Sequence, residues 1–121
     1  MSVTFWHFTC DHGRAGIGRY GVIRPNAHPL LGVTLSWFTD NRSASRDDLG
    51  LTSAVFLDCD RMRYRYRAMD GRTIFPWLGS GWRALAPADV VAELESLSKP
   101  ERWFVSAQPV HARLSGLVEG R

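Results

Sequence analysis

Val3-Thr4-Phe5-Trp6-His7-Phe8-Thr9 alternates along its length and is rich in β-branched and aromatic residues. That pattern predicts a strand with Phe5, His7 and Thr9 on one face. Asp11 then suits the cap of a short helix over about residues 12–20, with Gly21 as the residue at which it ends. Strand, helix and stop form the opening unit.

Working outward, Pro25, Pro29 and Gly32 make residues 24–32 an irregular loop, and Val33-Thr34-Leu35-Ser36-Trp37-Phe38-Thr39 reads as the second strand. Asp40 to Asp48 is polar and charged, which suits an exposed loop of the kind that often carries function. Residues 53–68 form the most strand-like run, ending in Arg61-Met62-Arg63-Tyr64-Arg65-Tyr66-Arg67. A period of two sets the four arginines on one face and Met62, Tyr64 and Tyr66 on the other, either as a solvated basic face or as a positive stripe toward phosphates. After the Asp70-Gly71 turn, Thr73 to Gly81 reads as loop with an aromatic patch at Phe75 and Trp77. Residues 87–97 read as a helix with Val90, Val91, Leu94 and Leu97 as its apolar stripe and Glu93 and Glu95 on its solvated side. Arg102 to Ser106 and Val110 to Leu114 supply a last strand pair, or one strand bent at Pro109. Strands dominate without βαβ alternation, so the expected class is α+β, mostly antiparallel sheet with two short helices.

At 121 residues and 45% hydrophobic, the chain has material for one core, hence one domain over residues 1–121. No stretch approaches the roughly 18 apolar residues of a membrane span, and the start lacks the pattern of an export signal. No membrane partner is expected. Cys10 and Cys59 stand far apart, which suggests reduced thiols in a cytoplasmic protein. His7, Cys10 and His12 alternate between strand faces and no second ligand pair follows, so no metal is expected. The net charge of +3 favours an anionic partner such as a dinucleotide, a nucleic acid or an acidic protein face.

Gly16-Ile17-Gly18-Arg19-Tyr20-Gly21 has GxGxxG spacing, with Asp40 near the interval of a ribose-binding acid. In the dinucleotide fingerprint the first glycine follows its strand directly, so that the pyrophosphate meets the helix N-terminus. Here six residues separate Thr9 from Gly16, and the glycines fall within or after the helix. The spacing alone does not make a Rossmann site.

His7-Phe8-Thr9 on a first strand, followed by a short helix and the exit Gly21-Val22-Ile23-Arg24-Pro25, resembles the first NAD-binding segment of ADP-ribosyltransferase-fold proteins. That group includes DNA-modifying toxins, poly(ADP-ribose) polymerases and RNA 2'-phosphotransferases. The resemblance implies a compact split-sheet fold and glycosyltransferase chemistry on NAD. It implies that His7 bonds the adenosine ribose, while the Phe8 backbone and the Thr9 hydroxyl hold the nicotinamide amide. Trp37-Phe38-Thr39 is similar to the segment whose aromatics flank the nicotinamide ring, where stacking and cation-π attraction contribute about 0.5 to 2 kcal/mol.

Trp103-Phe104-Val105-Ser106-Ala107-Gln108-Pro109-Val110 resembles the tail of a family of short actinobacterial and phage proteins of unassigned role, in which an acid precedes Pro-Val. In the transferases a late glutamate holds the nicotinamide ribose and stabilises positive charge as nicotinamide leaves. Here Gln108 takes that position, and the resemblance implies that it shares a cleft with His7. An amide lacks the charge that the transition state requires, so a slow form that still binds NAD is the consequence. Arg14, Arg24, Arg63 and Arg65 are the candidates for contacts to an acceptor or a phosphate. The expected function is transfer of ADP-ribose to a nucleic-acid or protein acceptor. A non-catalytic nucleic-acid or protein-binding module, and an RNA 2'-phosphotransferase, are the alternatives.

Overall fold

The computed structural model describes residues 3–18, 20–51 and 62–117, and it sets β1 (Trp6–Thr9) in the middle of an antiparallel sheet. The other strands are β2 (Tyr20–Ile23), β3 (Asn26–Ala27), β4 (Thr34–Thr39), β5 (Tyr64–Ala68), β6 (Phe75–Pro76), β7 (Trp103–Ser106) and β8 (Val110–Leu117). Their order is β2-β8-β5-β1-β4-β7-β6, with β3 pairing β4 off this path. The helices are α1 (Asp11–Ile17), α2 (Gly81–Leu85) and α3 (Ala88–Glu95), with a 3-10 turn over Pro100–Arg102. The class is α+β, as the strand-rich pattern requires. No helix among the described residues is long and apolar enough to cross a membrane.

Three local expectations are corrected. Cys10, not Asp11, is the N-cap of α1, and the helix stops at Ile17 because Gly18 takes a φ of 76° and returns its N–H to the Arg14 carbonyl. The residues freed by this early stop become β2, which pairs with β8 from Tyr20↔Arg113 to Ile23↔Val110. Within the expected loop at 73–81, Phe75–Pro76 forms the short strand β6, and α2 follows the loop, started by Ser80, whose hydroxyl accepts the Arg83 N–H at 3.1 Å. Of the strand expected over 53–68, residues 53–61 lie outside the described residues and Tyr64–Ala68 is strand.

Alternation along β4 feeds a core on each side of the sheet. Leu35 joins Leu31, Trp77, Ala86, Val91, Trp103 and Val105, with Trp37 packed against them. Phe38 joins Ile23, Tyr66, Ile74, Val110 and Ala112 on the other side. The two residues of the expected aromatic patch part company: Trp77 is fully buried, whereas Phe75 is 51% exposed. Burying an indole removes about 150–250 Å² from water, worth about 4–6 kcal/mol at about 25 cal/mol per Å². Its N–H needs a partner, and Glu95 supplies it: Oε2 accepts Trp77 Nε1 at 2.7 Å and Arg83 Nε at 2.8 Å, and Oε1 accepts Arg83 Nη2 at 2.9 Å. Glu95 is therefore a half-buried clamp between α2 and α3 and not the solvated residue that helical periodicity suggests, while Glu93 is exposed.

Cys10 is disulfide-bonded, which corrects the expectation of a reduced thiol. The chain's other cysteine, Cys59, lies outside the described residues. The inference from reduced thiols to the cytoplasm loses its support, since disulfides persist in oxidising surroundings.

Candidate functional site

β1 pairs with β5 along its whole length, Trp6↔Arg67 to Thr9↔Tyr64, but with β4 only at Trp6↔Thr39. Beyond Trp6 the two strands part. A cavity of about 730 Å³ lies there, within the roughly 300–1,000 Å³ usual for small-molecule sites, and residues of both strands line it. His7, Phe8 and Thr9 come from β1, Trp37, Phe38 and Thr39 from β4, and Arg24 from the turn between β2 and β3.

His7 spans the parting. Its Nδ1–H donates to the Trp37 carbonyl at 2.7 Å, and its ring lies 5.6 Å from that of Phe38. A carbonyl accepts only, so the proton of the neutral ring sits on Nδ1 and Nε2 is left as an acceptor. Burial holds the imidazole below its ordinary pKa, partly offset by the bond to Trp37, so the neutral ring is the resting form. Because the folded value is depressed, the unfolded chain binds protons more readily below about pH 6.5, and stability falls as pH drops from there toward the folded value. Thermal melts from pH 8 to pH 5 should show a smaller loss for His7→Gln, which keeps a donor and does not titrate. Equal pH slopes for the two proteins would rule out a neutral His7 held below its ordinary pKa.

The β4 side is an aromatic wall. The Trp37 ring packs 4.9 Å from Trp77, 6.2 Å from Trp103 and 5.4 Å from His28. Its Nε1 is buried with no hydrogen-bond partner among the described residues, a deficit of about 1–3 kcal/mol. Thr39 is buried, and its hydroxyl accepts the Asn41 N–H at 3.1 Å.

His28 lines the same cavity and escaped the sequence reading. Its Nδ1 accepts the N–H groups of Leu30 and Leu31, each at 3.1 Å, so in the neutral ring the proton sits on Nε2. The signal lay in His28-Pro29 within an irregular loop, where a side chain can replace missing backbone bonds. His7 and His28 thus carry opposite tautomers.

The remaining candidates are elsewhere. Gln108 does not line the cavity; it is exposed on the turn between β7 and β8, where its N–H and carbonyl both engage the Ser106 hydroxyl, at 3.1 and 3.0 Å. The expected cleft shared by Gln108 and His7 is therefore corrected, because the short turn into Val110 keeps the residue at the surface. Arg14 is exposed and stacks 5.1 Å from the Tyr64 ring. Arg63 precedes β5, the strand that carries Arg65 and Arg67, and lies 3.5 Å from Asp11; Arg61 lies outside the described residues. Arg24 alone of the four chosen arginines borders the cavity, and no Asp or Glu is found among its described lining residues.

Comparison of the chain with protein-family models, with curated proteins and with solved structures finds no match.

Proposed function

We propose that the cavity binds NAD or ADP-ribose, and that the chain is an ADP-ribosyltransferase-like protein that holds its dinucleotide without rapid cleavage. The observation that carries this reading is His7, a neutral imidazole held across the β1–β4 parting by the Trp37 carbonyl. Neutral donors and acceptors suit a ribose diol, the aromatic wall suits a flat heteroaromatic ring, and Arg24 suits a pyrophosphate. The second half of the proposal follows from the lining, in which the described residues offer no carboxylate to stabilise the cation formed as nicotinamide departs. An RNA 2'-phosphotransferase would need the same grip and more phosphate-binding arginines than Arg24 supplies within the cavity.

Titrating NAD while following thermal stability tests the proposal. Ligand at 100 times its Kd should add about 2.7 kcal/mol. His7→Ala should weaken binding by about 1–3 kcal/mol, the usual cost of a lost buried polar partner. Nicotinamide release should stay near the uncatalysed rate throughout. Absence of NAD and ADP-ribose binding at millimolar ligand would overturn the binding reading, and rapid release would overturn the claim of slow cleavage.

A further inference from the structure

Directly opposed residues of an antiparallel pair project to the same face, and the register places an unusual row across the middle strands. Arg113 of β8 opposes Arg67 of β5, which in turn opposes Trp6 of β1. Arg65, two residues from Arg67 along β5, shares that face. Arg42, from the loop after β4, completes the group: its guanidinium lies 5.7 Å from the Trp6 ring centroid and that of Arg65 lies 5.6 Å from it.

Apart from the two contacts with the Trp6 ring, the described residues give Arg42, Arg65 and Arg67 little return for standing together. Like charges gathered on one face repel one another. Among the described residues Arg42, Arg65 and Arg67 form no ion pair with a carboxylate, and Arg65 makes only long bonds, 3.4 Å to the Ser115 hydroxyl and 3.5 Å to the Arg42 carbonyl. Partial burial and the neighbouring Arg42 charge both disfavour the charged form of Arg65. β5 and β1 are interior strands, so these arginines do not guard a sheet edge against aggregation. An anionic partner relieves the repulsion.

We infer that this sheet face binds single-stranded nucleic acid, with phosphates on Arg42, Arg65 and Arg67 and a base on Trp6. A single strand fits better than a duplex because the cations stand on a sheet around an aromatic ring, the geometry of a stacking platform, whereas duplex readers insert a helix or ribbon into a groove. Each guanidinium that swings from the Trp6 ring to a phosphate frees ring surface for a base. Trp6 also borders the cavity, but the inference rests on the arginines of the sheet face and not on what the cavity binds.

The test is fluorescence anisotropy of a short fluorescein-labelled oligothymidylate against the full chain over a salt series. Binding should weaken with salt, and Arg65→Ala and Arg67→Ala should each lower the log–log salt slope by about 0.7. Trp6→Leu should cost roughly tenfold in affinity, the scale of one lost stacking contact. Lys99→Ala removes the same charge beside Asp48 and should leave binding unchanged, with circular dichroism melts confirming that each variant folds. Three outcomes overturn the inference: no salt-dependent binding, equal losses for Lys99→Ala and Arg67→Ala, or polyglutamate displacing the strand as well as unlabelled oligothymidylate does. The last would assign the face to an acidic protein.

Discussion

Gly21→Ala is expected to lower the thermal midpoint by roughly 10 °C or more, which corresponds to about 3 kcal/mol in a domain of this size. A β-carbon at Gly21 would be driven into the carbonyl oxygen of Ile17, the last residue of α1. That oxygen is backbone and cannot rotate away, so the cost lies at or above the upper end of the roughly 1–3 kcal/mol typical of overpacking. Gly16→Ala is the matching control. Nothing lies within 4 Å of a β-carbon there, and alanine in a helix is favoured over glycine by about 1 kcal/mol. Paired melts decide the matter: a Gly21→Ala protein as stable as its parent would mean that α1 does not lie against β2 as described.

The second large effect concerns Glu95. Glu95→Ala should cost roughly 2–3 kcal/mol in urea unfolding, since it leaves the fully buried Trp77 indole N–H without its acceptor and strips Arg83 of its partner. The estimate stays below the usual range for a buried pair because Arg83 is partly solvated, its side chain 39% exposed. The Arg83 bonds, and then the Trp77 bond, hold the Glu95 carboxyl below its ordinary pKa against the effect of burial. A depressed carboxyl stabilises the fold above about pH 4.5, and that contribution is lost as pH falls through the folded value. Glu95→Gln keeps an acceptor for Trp77 and should lose less at pH 7, with a flatter acid limb. An acid limb unchanged in Glu95→Gln would show that the clamp carries no charge-dependent stability.

Legibility in the sequence followed the range of the interaction. Strands β1 and β4 and helix α3 were readable because alternation and helical periodicity record which side chains are buried. From β1 and β4 came His7, Phe8, Thr9, Trp37, Phe38 and Thr39, all of which line one cavity. Strand β2 was missed because Tyr20–Ile23 is too short for a period, and its pairing is decided by β8, about 90 residues away. The GxGxxG spacing has a local cause that no motif encodes: Gly18 ends a helix at positive φ and Gly21 clears the Ile17 carbonyl. Glu95 looked solvated because its partners, Trp77 and Arg83, belong to segments whose approach no periodicity reports. Of the arginine run, Arg65 and Arg67 lie within β5, while Arg63, just before it, stands beside Asp11.

The position of β8 between β2 and β5 also sets the order in which the molecule can be assembled. Strand β2 has β8 as its sheet neighbour, so Tyr20–Ile23 leaves the ribosome about 90 residues before its partner exists. At about 5–20 residues per second that wait is on the order of 5–20 s, far longer than the microseconds in which a local hairpin forms. Throughout it Ile23, which ends buried, stays open to solvent and to other nascent chains. Closing so distant a pair makes folding slow compared with helical proteins of this length. The exposed interval therefore makes the yield of native protein depend on chain concentration and on holding factors during synthesis, even where the finished fold is stable.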